Sequence, residues 1–331
     1  MNKIFKLALL ASSFFCFTIV HGRTLSVSND PNNPAQYLEV QTAINAANAG
    51  DTLLITGTST AYAAATAYKK LVYIGPGIKP SGANPFTAAI SNLTLDSNFS
   101  GCARGSKIIG LTISSLTTAV KVNDLTIYGS NISATYSYAG NNILIANCLI
   151  SYLYGNALSK NILIFNNIIR YIIYQARSST VVSNNLFVTQ NGEVFSGAQN
   201  AVITNNIFYG NAPRGASNCV FSNNLTYQTP NDTIPYGNNT GGGNLRSVNP
   251  LFVYINGQSF DFSYDYRLQP SSPAKNAGTD GTDIGPTGGF ASYRERSYDG
   301  LMPVIKEFNI LNGLVTPRGS LQVRIKAYKG R

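Results

Sequence analysis

Histidine is almost missing from this sequence, and tryptophan is missing altogether. The one histidine, His21, closes an N-terminal apolar run. That excludes a Ser-His-Asp triad, a Cys-His dyad and any His-ligated zinc or iron centre from a folded body. Charge is scarce as well. Asp, Glu, Lys and Arg make up 11% of the 331 residues, under half the usual ~25%. Cysteine is rare and scattered, which excludes a disulfide-stapled miniature fold. A single bridge among Cys102, Cys148 and Cys219 would still leave one thiol over. What is abundant is asparagine, 37 residues, and glycine, 30, in a chain that is 44% hydrophobic. There is apolar material for a sizeable core, in an uncharged, Asn-rich, turn-rich chain of β character.

Residues 1–22 read as a secretory leader. Lys3 and Lys6 precede an apolar run from Leu7 to Val20, which is too short to span a bilayer comfortably. Val20-His21-Gly22 ends in a small residue, so cleavage is expected before Arg23. Cys16 follows Phe14-Phe15, a poor context for a lipoprotein. The leader holds two lysines and no acid, so its loss takes the net charge from +10 to +8. No later segment is apolar enough to span. The mature chain is expected to be secreted or at the cell surface, with no transmembrane segment, and monomeric.

Self-similarity runs from residue 105 to 225. Seven segments share a template of a small or polar residue, four residues of strand character, then Gly or Asn. They are Gly105-Ser-Lys-Ile-Ile-Gly110, Asp124-Leu-Thr-Ile-Tyr-Gly129, Asn142-Ile-Leu-Ile-Ala-Asn147, Asn161-Ile-Leu-Ile-Phe-Asn166, Ser179-Thr-Val-Val-Ser-Asn184, Asn200-Ala-Val-Ile-Thr-Asn205 and Asn218-Cys-Val-Phe-Ser-Asn223. Their closing residues fall 18 to 21 apart. Paired-helix repeats need more than ~30 residues per unit, so this period belongs to a stack of β rungs. Ile108, Ile127, Ile145, Ile164, Val182, Ile203 and Phe221 share one position and are expected to point inward. Asn147, Asn166, Asn184, Asn205 and Asn223 close five consecutive rungs. Asn167, Asn185, Asn206 and Asn224 follow four of them directly. Asn tolerates a left-handed backbone at a tight bend, and its amide can bond its counterpart one rung away. These residues are read as scaffold, with Cys148 a buried small residue in the same column.

On these residues the chain resembles right-handed parallel β-helix proteins of the pectate-lyase-like superfamily, secreted bacterial type. Three further segments carry the resemblance. Leu38-Glu-Val-Gln-Thr-Ala-Ile-Asn-Ala-Ala-Asn-Ala-Gly-Asp51, running into Thr52–Thr56, is similar to the family's N-terminal cap helix and first strand. Its Val40, Ala43, Ile44 and Ala47 form a helical stripe that stops at Gly50. Lys69-Lys-Leu-Val-Tyr-Ile-Gly-Pro-Gly77 resembles an early rung. Asn249-Pro-Leu-Phe252, Tyr266 to Gly278 and Asp283-Ile-Gly285 resemble the last rungs. The resemblance implies an all-β right-handed solenoid over residues 23–290, with a cap helix at about 36–49. Residues 291–331 form a C-terminal β appendage, in which strictly alternating Leu321–Tyr328 pairs with Val304–Ile310. The appendage is expected on the far end of the helix; an export or attachment signal is the alternative.

Function follows less directly, because this scaffold hosts lyases, hydrolases, adhesins and inert proteins. Hydrolases need paired carboxylates, yet residues 125–230 hold one acid, Glu193. A lyase without a preformed Ca²⁺ cage needs a base and a charge neutraliser. Lys160, Arg170, Arg177 and Arg214, with Glu193, are the candidates. Asp280-Gly-Thr-Asp283 has some likeness to a Ca²⁺ loop, but a terminal turn is expected there, with the carboxylates on nearby N–H groups. No other cofactor is implied. Tyr152, Tyr171, Tyr174, Tyr209 and Tyr227 recur at similar places on the rungs, with Thr189 interrupting. An exposed aromatic row on a basic surface suits an acidic polysaccharide or cell-surface glycan; an inward, self-stacked ladder is the alternative. No nucleic-acid motif is present. The reading is a secreted, non-catalytic glycan-interacting β-helix. The alternatives are a polysaccharide lyase acting by β-elimination and an adhesive or structural solenoid.

Overall fold

The structure, a computed structural model, describes residues 22–79, 85–98, 101–119, 122–138, 140–177, 179–188, 192–293, 303–310 and 323–329. The apolar run 7–20 and Thr189 lie outside the described residues. The body is a parallel β-solenoid. Its first sheet has ten parallel strands, from Thr24–Val27 and Thr52–Ile55 through Ile143–Ala146 and Ile162–Phe165 to Val220–Ser222. A second parallel sheet runs from Ala65–Ala67 to Leu225–Tyr227. After the first turn, which carries a helix in place of a second-sheet strand, each turn of the chain adds a strand to both sheets.

The predicted aliphatic column is one ladder. Ile108, Ile127, Ile145, Ile164, Val182, Ile203 and Phe221 pair in direct register and are buried. Facing it, Ile113, Ile132, Ile150, Ile169, Phe187 and Phe208 form the matching inward column of the second sheet. Aromatics take over toward the last rungs, where Phe187 and Phe208 stack at 5.0 Å and Phe195 meets both edge-on. Each such ring contributes roughly 1.5–3 kcal/mol when fully buried.

The double Asn bend divides its work between its two positions. The first residue, at Asn147, Asn166, Asn184, Asn205 and Asn223, takes φ of +51° to +57°. The second points inward and builds a buried amide ladder. The Oδ1 of Asn185 accepts from both the N–H and the amide of Asn167, at 3.0 and 2.9 Å. The pattern repeats from Asn185 to Asn206, Asn206 to Asn224 and Asn224 to Asn244. Cys148 heads the ladder, fully buried, its N–H donating to Asn167 at 2.9 Å. A second, exposed column with positive φ lies at the rung entry, at Asp124, Asn142, Asn161, Ser179, Asn200 and Asn218. There too the side chains are linked, Asn161 to Asn142 and Asn142 to Asp124.

Both ends differ from the sequence reading. The cap helix is shorter than 36–49: it spans Val40–Ala46 and buries Val40, Ala43 and Ile44. It follows a first strand, Thr24–Val27, that already belongs to the solenoid. Asp51, beside it, is buried and takes bonds from the Asn48 N–H and the Arg23 guanidinium. At the other end, the segment that resembled last rungs adds no strand to either large sheet. Phe252–Tyr254 and Asp265–Leu268 pair antiparallel with each other. The chain then runs back along the outside as a strap over the first-position Asn column. Asn223 donates to Ala277 O, Asn205 to Thr279 Oγ1, Asn184 to Asp283 O, Asn166 to Pro286 O and Gly288 O, and Asn147 to Ala291 O, at 2.7–3.2 Å. Beneath this segment lies an outward aliphatic column, Leu149, Ile168, Leu186, Ile207 and Leu225, packed with Phe252, Tyr266, Leu268, Ala274 and Ile284. Beyond the strap, Pro303–Ile310 and Val323–Lys329 form an antiparallel pair, as the alternating pattern indicated.

The two Asn positions are expected to fail differently. Asn185→Leu leaves two buried donors of Asn167 without an acceptor, at about 1–3 kcal/mol each, and is the more damaging. Asn184→Val forces a β-branched residue into a left-handed bend and loses the strap contact, at about 1–3 kcal/mol; Asn184→Gly recovers the backbone part. Urea unfolding of the three variants tests the order. Equal loss at both positions contradicts the division of labour.

Candidate functional site

The second sheet bends. Along Leu149–Gly155 the inward residues Ile150 and Leu153 are three apart, where a flat strand would have two. Along Ile168–Tyr174 the inward Ile169 and Ile173 are four apart, and the register shifts by one against the previous rung. The extra residue is a bulge at a corner. Tyr152 and Tyr171 stand on that corner, and Tyr154 and Tyr174 just past it. Register stacks Tyr154 on Tyr174 at 4.4 Å and 5°, and the bulge, which sets Ile172 opposite Tyr152, lays Tyr171 on Tyr152 at 4.8 Å and 10°. The next rung sets Ser196 opposite Tyr174, so among the described residues the Tyr154–Tyr174 stack ends on a ring face without an aromatic neighbour. Tyr171 is 45% exposed.

Arg170 sits beside this cluster. Its Nη2 donates to Ser151 Oγ at 2.6 Å, and its Nε is shielded from water without a hydrogen-bond partner. Burial lowers its pKa from the ordinary arginine value. Among the described residues it forms no ion pair. A half-buried cation without an acid is an unmet electrostatic demand.

The other sequence candidates lie elsewhere. Tyr209 and Tyr227 do not continue the corner row. Register places them in the outward column of Arg170 and Val188. There Tyr209, 6% exposed, packs on Tyr227 and Phe252 under the C-terminal segment, and burial raises its phenol pKa. Lys160 and Arg177 lie on consecutive rungs near the entry to the first sheet: the Lys160 N–H bonds Asn141 Oδ1, and Arg177 O accepts from Thr180. The Arg214 guanidinium covers the Tyr236 ring at 4.3 Å. Glu193 bridges to Ala212; its carboxylate leans toward Gly215. Glu193 and Arg214 therefore come together beside Tyr236, while Lys160 and Arg177 lie apart from them; of the five charged candidates, Arg170 alone adjoins the tyrosine corner.

The Asp280–Asp283 carboxylates are engaged within their own turn. Asp280 accepts from the Thr282 N–H, and Asp283 from the Asn276 N–H and Lys275. Cys102, Cys148 and Cys219 form no disulfide with one another. Burial pushes Cys148 up to about 12, away from thiolate chemistry. No helix among the described residues is long and apolar enough to cross a membrane.

Sequence reasoning missed Tyr154 as the partner of Tyr174, Asn244 as the last ladder amide, and an outward stripe on the first sheet. That stripe, Leu144, Leu163, Val181, Val202 and Val220, runs in direct register. Leu163, Val202 and Val220 are each about 40% exposed. The alternation inside each template segment carried the signal for it. Comparison of the sequence with known protein families and with curated proteins finds no match.

Tyr171 and Tyr209 separate surface from core. Tyr209→Ala is expected to lose about 3–5 kcal/mol, as buried aromatics do. Tyr171→Ala should lose only the stacking part, about 0.5–1.5 kcal/mol. Chemical unfolding of both variants reads the difference; the reverse order contradicts the placement.

Proposed function

We propose that the protein is a secreted or surface-exposed β-solenoid that binds acidic polysaccharide at the tyrosine corner without transforming it. The observation that carries this reading is the pairing of two parallel tyrosine stacks with Arg170, a half-buried guanidinium that forms no ion pair among the described residues. A sugar ring offers C–H groups to the open ring faces, and its carboxylate or sulfate offers Arg170 the anion that the rungs lack. The guanidinium fork suits either anion. The scarcity of acid over residues 125–230 leaves the surrounding potential positive, which favours polyanions. Export through residues 1–22 belongs to the same reading.

Two alternatives have observations of their own. The contact of Arg170 with the Tyr171 segment favours a lyase, in which one of the pair removes a proton and the other steadies the carboxylate. The aliphatic stripe on the first sheet favours an adhesive solenoid.

Retention on immobilised alginate, pectate and a sulfated glycosaminoglycan tests the proposal. Wild type is expected to be retained at low salt and released as ionic strength rises, since exposed charges are screened over ~8–10 Å. Arg170→Ala should weaken retention and flatten its salt dependence. Tyr171→Ala should weaken it at every salt concentration. Unsaturated products that absorb in the ultraviolet and vanish with Arg170→Ala would replace binding by the lyase. No retention and no product on any polyanion leaves the adhesive solenoid.

A further inference from the structure

A second recess lies where the C-terminal antiparallel pair meets the last rungs. It is an open groove of about 330 Å³. Tyr209 and Tyr227 form one wall, Leu251 and Tyr254 another, and Asn249 and Gln269 line it between them. No lining residue is charged, in contrast to the corner around Arg170. Both amides are held by one end only. Asn249 Oδ1 accepts from the Leu251 N–H at 2.9 Å, and Gln269 Nε2 donates to Phe252 O at 2.9 Å. These bonds orient the side chains and leave an NH₂ on Asn249 and a carbonyl on Gln269 for a ligand. The backbone between them is set by Leu251 at φ +52°, an uncommon conformation for a branched residue that the surrounding packing must hold.

From this geometry we infer that the groove is a binding site for a neutral sugar unit. One fixed donor and one fixed acceptor match a pair of hydroxyls, which can accept from the first and donate to the second. The rings of Tyr227 and half-exposed Tyr254 provide apolar faces for the sugar's C–H side. An anion would find no cation there. The inference is independent of the corner reading, because it uses none of its residues.

Titration calorimetry with neutral hexose oligomers (β-linked glucose, mannose and xylose series), and with oligogalacturonate as the charged comparison, tests it. Binding to at least one neutral series is expected, unchanged between low and high salt. Tyr254→Ala and Gln269→Leu should each weaken it about tenfold, with circular dichroism unchanged. Arg170→Ala should leave it unaltered, which separates this site from the corner. Absence of binding to every neutral oligomer, or binding indifferent to Tyr254→Ala, overturns the inference.

A different observation supports a second proposal, at the other end of the chain. The Arg23 backbone nitrogen lies 2.8 Å from Asp51 Oδ1, while the Arg23 side chain holds Oδ2 at 3.0 and 3.2 Å. Asp51 is 2% exposed. We propose that the peptide bond between Gly22 and Arg23 is hydrolysed by an endopeptidase before folding, and that the Arg23 α-ammonium then closes a buried ion pair with Asp51. Water adds across the bond: Gly22 leaves as a carboxylate and Arg23 gains the proton that makes its amine an ammonium. Position 23 is thus both the cut and a structural anchor of the first rung.

Intact mass of the full chain expressed in an exporting host should correspond to a protein that begins at Arg23; any other start overturns the proposal. A chain beginning at Arg23 should melt about 2–4 °C above one beginning at His21, in which the same nitrogen is a neutral amide. Asp51→Asn should abolish that difference. If the difference persists with Asp51→Asn, or never appears, the ammonium does not pair with Asp51.

Discussion

A bend made twice in every turn, inside a stack with no free edge between rungs, must satisfy its buried polar groups without water. The ladder from Asn167 to Asn244 does this. From Asn185 on, each amide oxygen takes two donors from the rung before, while Asn167 takes one from Cys148, and the amide nitrogens return to backbone carbonyls and to the next rung. An unpaired buried amide costs about as much as several methylenes contribute, so the rungs stay in register or lose the ladder. That constraint holds the two inward columns opposite each other and gives the core its fixed width. It also sets the ring spacing of the tyrosine stacks, which follow the rung repeat rather than their own preferred offset.

The first-position asparagines have a second use. Their left-handed backbone turns each amide away from the core and toward the strap, which bonds them in reverse chain order. The strap and the antiparallel pair before it bury an aliphatic column that would otherwise lie on the surface. The described strap therefore ends beside Asn147, near the middle of the stack, and not at its last rung. The groove around Tyr227 and Tyr254 exists because of this return: one wall is solenoid, the other is strap-side chain.

Two surfaces with different chemistry result. The corner at Tyr152 and Tyr171 forms where strands bend and a bulge inserts one residue, with Arg170 next to Tyr171 in the chain and its guanidinium on Ser151. The groove is uncharged and preorganised by backbone bonds to its amides. Between them runs one outward column, Ser151, Arg170, Val188, Tyr209 and Tyr227. The sequence reading put the tyrosines of both surfaces in one row. It treated residues four and five past the Asn bend as one position, whereas neighbours along a strand lie on different lines of the solenoid.

The sequence by itself determined the parts that repeat. Period, alternation and the Asn pairs place Ile145 over Ile127 and under Ile164, and Cys148 at the head of an amide ladder, because a rung meets only its neighbours about 19 residues away. The same locality made the cap stripe at Val40, Ala43 and Ile44 legible, and the pairing of Val304–Ile310 with the last strand. What covers an outward column is not a local property. Leu149 and Leu163 look alike in the repeat, one in each sheet. Only the return of residues 251–293 decided that Leu149 is buried beneath a strap while Leu163 stays on the surface, and that Tyr209 packs away while Tyr171 faces water. The strap bonds join residues from 54 positions apart, at Asn223 and Ala277, to 144, at Asn147 and Ala291, and no periodicity in either segment encodes the other.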